Sequence, residues 1–83
     1  MPYYGVGHCD NGFHLGWDGK GEENAADCKS VCMKEPQCTF ASFFDDGNKK
    51  GCSRYKDVTY RLMASTDAQK AHKTFSKKGF FYI

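Results

Sequence analysis

Short runs of alternating apolar and polar residues, interrupted by one stretch of helical character, set the organisation of this 83-residue chain. Met1 to Val6 reads as a first strand with Tyr3 and Tyr4 half-buried, and Phe13-His14-Leu15-Gly16-Trp17 alternates over a short extended segment. Asp18 to Asn24 is a polar loop. Beyond it Asn24 offers an N-cap, Ala25 and Ala26 favour helix, and Asp27 falls in the first turn, where the helix dipole favours negative charge. Pro36 pushes its predecessor out of the α region, so the helix is expected to end near Lys34 or Glu35. Cys38 to Phe44 reads as a strand with Cys38, Phe40, Ser42 and Phe44 on one face. Asp45-Asp46-Gly47-Asn48 is a turn that Lys49-Lys50-Gly51 extends, and Cys52 to Tyr55 returns as an antiparallel partner. Lys56 to Met63 is a further strand candidate, with Val58, Tyr60 and Leu62 on one face. Ser65 or Thr66 can cap a short helix through Asp67 to His72, and Lys73 to Ile83 reads as closing extended structure.

Four of the five cysteines lie between Ala25 and Tyr55. Cys28 and Cys32, four apart on a helix, project from one face toward a common neighbour. With one cysteine left over, two bridges form in fifteen ways, five choices of the odd residue times three pairings, and spacing alone does not choose among them. An i,i+4 bridge within one helix is awkward, and two helix cysteines facing a sheet reach different strand positions. The nested pairs Cys28–Cys52 and Cys32–Cys38 fit a hairpin lying under the helix. Closing the longer loop constrains the unfolded chain by roughly 3 to 4 kcal/mol, a large share of the stability of so small a core.

Composition narrows the setting. A chain of this length forms one domain, residues 1–83, and its aromatic content of 16% with five cysteines compensates for a small core. Dense cysteine in a short chain points to an oxidising compartment, hence a secreted or cell-surface location. No apolar run is long enough to span a membrane. Met1-Pro2-Tyr3-Tyr4-Gly5 lacks the pattern of a signal peptide, as expected of a mature product or an excised domain. The net charge of +2 hides an asymmetry: residues 1–48 carry three basic and eight acidic side chains, net −5, and residues 49–83 nine basic and two acidic, net +7. A cationic C-terminal half suits sulfated glycans, acidic proteins or anionic surfaces.

Catalytic and metal chemistry find little footing. The spacing C-x3-C-x5-C lacks the short paired knuckles of structural zinc sites, and no C-x-x-C redox motif is present. The loop starting at Asp18 has Glu23 where a calcium loop needs glycine. His8 and Cys9 are adjacent, and neighbours in an extended chain point to opposite faces, which does not make a nucleophile and base. No catalytic residue, cofactor or metal is therefore expected, and nucleic acid is not expected as a partner.

Ala26-Asp27-Cys28 followed by Cys32, then Pro36-Gln37-Cys38-Thr39-Phe40 and Gly51-Cys52-Ser53-Arg54-Tyr55, resembles the core of the PAN/apple domain family. That resemblance covers Ala26 to Tyr55, with looser flanks. It implies a helix cross-linked by two disulfides, in the same nested pairing, to the central hairpin of an antiparallel sheet whose first strand pairs with the C-terminal one. Apple-type members carry a third bridge between an N-terminal cysteine and one near the C-terminus. Lys77 to Ile83 holds no cysteine, so the chain resembles the two-bridge PAN form and leaves Cys9 over. The expected fold class is α+β: one helix packed on a small antiparallel sheet of four to five strands, disulfide-stapled. The implied function is a non-catalytic extracellular module that recognises a protein or carbohydrate ligand, in adhesion and related roles. Binding residues vary across the family and sit on loops, so none carries over by position. The face expected here uses Lys49, Lys50, Arg54, Lys56 and Arg61 with Trp17 or Tyr55. The alternative is a small disulfide-rich secreted effector that blocks a protease or receptor through the Asp45 to Gly51 loop. Cys9 is expected as a buried free thiol, as the link of a disulfide-bonded homodimer, or as a bridge to a neighbouring segment of a longer chain.

Overall fold

In a computed structural model of the chain, residues 1–10, 14–18, 24–56 and 61–77 are described. They form strands β1 (Tyr3–Val6) and β2 (His14–Asp18), helix α1 (Ala25–Lys34), strands β3 (Phe40–Asp45) and β4 (Lys50–Tyr55), helix α2 (Asp67–Lys70) and strand β5 (His72–Ser76). The strands make one sheet in the order β1-β5-β3-β4-β2, every neighbouring pair antiparallel. The architecture is α+β, and the short helix expected after Thr66 is present as α2, ending at Lys70. None of the described helices is long and apolar enough to cross a membrane.

Local chemistry accounts for most boundaries. The Asn24 side chain accepts a hydrogen bond from the Asp27 N–H at 2.9 Å, satisfying one of the donors that a helix start leaves open. At the other end α1 stops at Lys34, two residues before Pro36. The Thr66 hydroxyl accepts from the Gln69 N–H while the Gln69 side chain accepts from the Thr66 N–H, a reciprocal capping box that holds even the four-residue α2. The first strand pairs with the last, Tyr3 opposite Phe75 and Val6 opposite Lys73.

Two layers of side chains sit on the two faces of the sheet. Ala41, Phe43 and Phe75 point toward α1 and form a buried cluster with Cys28, Cys32, Cys38 and Cys52. Phe40 and Tyr55 point the other way and bury Cys9 between them, with Tyr4 and Leu62 packed alongside. The segment following β1 closes over this second face. Gly7 donates to the His72 carbonyl at 2.9 Å, the Thr74 hydroxyl donates to the Gly7 carbonyl at 2.5 Å, and His8 pairs with Met63 as an isolated bridge. Gly7 adopts φ 110°, and a Cβ there would stand 2.6 Å from the Met63 carbonyl oxygen, so the close crossing requires glycine.

Several expectations need correction. β3 begins at Phe40, because the Cys38 N–H is taken by the Glu35 carbonyl in the turn after the helix. Cys38 therefore belongs to the helix-facing cluster with Ala41 and Phe43, not to the face of Phe40, Ser42 and Phe44. β4 begins at Lys50, which places Lys50 and Gly51 in the strand instead of the loop. Of the expected strand Lys56 to Met63, residues 57–60 lie outside the described residues; Arg61 and Leu62 are not in strand conformation, and Met63 makes only the bridge to His8. Phe13, the loop residues 19–23 and the terminal residues 78–83 also lie outside the described residues.

Candidate ligand-binding site

The site is built where β2 crosses the β3–β4 hairpin. Trp17 on β2 pairs with Ser53 on β4, two residues beyond Gly51. The six-membered ring of Trp17 occupies the space in which a Gly51 side chain would stand. A glycine inside a strand often marks this kind of close approach. Trp17 also meets the ring of Phe44 edge-on, centroids 6.1 Å apart, and still leaves 49% of its surface to solvent. One part of the indole is thus anchored on the sheet while the rest faces outward.

The hairpin tip beside it is shaped by its own carboxylates. Asp45 Oδ1 accepts from the Gly47 N–H at 3.0 Å, and Asp46 Oδ1 accepts from the N–H groups of Asn48 and Lys49 at 2.8 and 2.7 Å. Gly47 sits at φ 93°, a conformation that suits glycine. The backbone N–H groups of Lys49 and Asn48 hold the Asp46 carboxyl below its ordinary value. Both carboxylates turn inward on the backbone. Asn48, Lys49 and Lys50 are left to line, with Trp17, an open recess of about 460 Å³. Both lysines are exposed, and neither ammonium is in an ion pair among the described residues.

The structure brings together three of the expected ligand-binding residues, Trp17, Lys49 and Lys50. Arg54 lies on the opposite, helix-facing side of the sheet, where it is half-buried, pairs with Glu35 at the end of α1 and fills the space above Gly16. Tyr55 is 2% exposed and packs against the tilted ring of His14, which removes it from any surface contact; burial pushes its hydroxyl pKa to about 12. Lys56 and Arg61 are exposed, flanking the segment outside the described residues, and neither lines the recess. Asn48 and Gly51 were not among the expected residues. Gly51 was expected in the loop that extends the turn, so the signal of a glycine inside a strand was missed there.

Both expected disulfides are present. Cys28–Cys52 ties the first turn of α1 to β4, and Cys32–Cys38 ties its last turn to the connection into β3. Cys9 is free and 1% exposed. Burial raises its thiol pKa to about 12, opposed by a hydrogen bond with Ser42 and reinforced by the charge of Asp10. An intermolecular bridge needs a thiolate that reaches solvent, and Cys9 offers neither the access nor the ionisation. Of the three readings of Cys9, the buried free thiol is the one this geometry matches, and nothing among the described residues supports the disulfide-linked homodimer.

A second feature lies further along the same face. The rings of His8 and His72 meet at 4.9 Å, and Phe44 contacts His72 at the same separation. His8 Nδ1 donates to the Cys9 carbonyl and His72 Nδ1 to the Ala68 carbonyl. Burial and the neighbouring His8 hold His72 below its ordinary pKa.

Comparison with known protein families, curated proteins and solved structures finds no match to this chain.

Proposed function

We propose that the chain is a secreted or cell-surface binding module of the PAN/apple kind, non-catalytic, recognising a protein or carbohydrate ligand through the Trp17 recess. The observation that carries this reading is the anchored, half-exposed indole beside Asn48, Lys49 and Lys50. An aromatic surface at low entropic cost, flanked by a few polar groups, is a common recognition element. The helix and hairpin behind it are cross-linked twice, which supports both a rigid platform and an oxidising compartment. The nested bridges and the pairing of the first strand with the last are also what the PAN/apple resemblance implies. The sealed, protonated Cys9 gives no support to thiol catalysis.

A second reading keeps one observation of its own. The Asp45–Asn48 tip is exposed and held by three backbone-to-carboxylate bonds, the pre-ordering that favours an effector inserting a loop into a protease or receptor. The chain has a single tryptophan, so its emission reports on Trp17 directly. Screening the intact protein against a glycan array and a panel of extracellular proteases tests both readings. Glycan or protein binding that quenches or shifts the emission supports the module; stoichiometric protease inhibition supports the effector.

A further inference from the structure

We infer that the recess takes an acidic saccharide, with a sugar ring laid on the exposed part of Trp17 and its sulfate or carboxylate groups met by Lys49 and Lys50. This rests on the binding-module reading and narrows its ligand to one chemical class.

Three observations converge on that class. First, the indole is presented as a fixed surface. It is seated on Gly51 and braced by Phe44, so docking a flat apolar sugar face costs little side-chain ordering. Second, the polar groups around it among the described residues are two ammonium groups and one amide, with no carboxylate among the described lining residues. The two acids of the adjoining hairpin tip, Asp45 and Asp46, are occupied in accepting turn N–H groups. An ammonium on a flexible stem is a point charge that suits a sulfate or carboxylate whose position varies from one residue of a polysaccharide to the next. Third, the whole chain has a formal net charge of +2, so the overall field does not oppose an anionic polymer. The recess is open, and a polymer lying across it fits better than a small molecule that needs enclosure.

The test titrates the full chain with a heparin-derived hexasaccharide, its chemically desulfated counterpart and a neutral hexasaccharide, at low and physiological salt, reading Trp17 emission and calorimetric heat. The sulfated ligand is expected to shift the emission and to weaken as salt rises. Lys49→Ala with Lys50→Ala is expected to cost about tenfold in affinity and to flatten the salt dependence, and Trp17→Ala, followed by calorimetry, about tenfold as well. Lys70→Ala with Lys73→Ala removes two exposed cations that do not line the recess and is expected to leave affinity unchanged. Equal losses from the two lysine pairs would reduce the effect to general polycation binding and overturn the inference. An emission change with the neutral or desulfated sugar of equal strength overturns the acidic specificity but leaves the binding module standing. No response to any saccharide overturns the inference together with the carbohydrate arm of the proposed function.

Discussion

Trp17 rests on Gly51, across two neighbouring strands and 34 positions of sequence, in the space where any other residue would carry a side chain. The exposed aromatic and the buried glycine are therefore one element.

Gly51→Ala removes the seat without touching Trp17 itself. Overpacking at a close contact costs about 1–3 kcal/mol, and the indole has to lift from β4 to relieve it. Urea denaturation of the variant is expected to show that loss, and the native emission of Trp17 is expected to move toward the red as the ring becomes more solvated. An unchanged emission maximum would show that the ring is not seated there.

Arg54 gives the opposite dissociation. Its ion pair with Glu35 joins β4 to the end of α1 on the far side of the sheet from the recess. Both side chains retain some solvent contact, so Arg54→Ala is expected to cost about 1 kcal/mol, the charge-assisted bond being discounted for screening. Affinity of the recess for its ligand is expected not to change, a comparison that calorimetry on wild type and variant makes directly.

How much of this was legible in the sequence divides along local and non-local lines. Asn24, Asp27 and Pro36 fix α1 through bonds and clashes within a few residues, so its limits could be read directly; the Asp45–Asn48 turn and the Thr66 cap are similarly local. The nested disulfides fitted two cysteines on one helical face, although spacing alone did not choose among the possible pairings. The placement of Trp17, Arg54 and Tyr55 did not. It depends on β2 pairing with β4 across a register shift between His14 and Gly16, and no local pattern encodes that choice. Arg54 and Tyr55 alternate across the sheet, so they could not share one face, and the pairing sent Tyr55 inward onto Cys9. Cys38 escaped the strand alternation because its N–H caps a turn.

Alkaline pH is expected to destabilise the fold through its second core. Cys9 and Tyr55 have ordinary pKa values of 9.0 and 10.0, and burial raises each to about 12. The unfolded chain releases these protons first, so stability is intact below pH 9 and declines as pH rises toward 12. The urea midpoint should fall over that interval, and less steeply in Cys9→Ala. In the native protein at neutral pH, a thiol reagent is expected to label Cys9 only at the rate of opening.

Mild acid is expected to act through the histidine contact. His72 is held below its ordinary 6.5, mainly by burial, so the unfolded chain binds its proton at higher pH than the folded one. Stability is therefore expected to drop as pH falls below 6.5 and to level off once the folded His72 is protonated as well. Replacing His72 by Gln should remove this part of the acid slope in a series of denaturation curves.

The binding role rests on a doubly cross-linked scaffold that carries a fixed aromatic platform, and the cross-links give its most direct test. Intact mass with and without reduction, followed by mapping of the non-reduced digest, is predicted to show a gain of four hydrogens on reduction, peptides joined through Cys28–Cys52 and Cys32–Cys38, and a single free thiol at Cys9. Five free thiols with a retained metal ion would contradict the fold, the oxidising compartment and the binding role together.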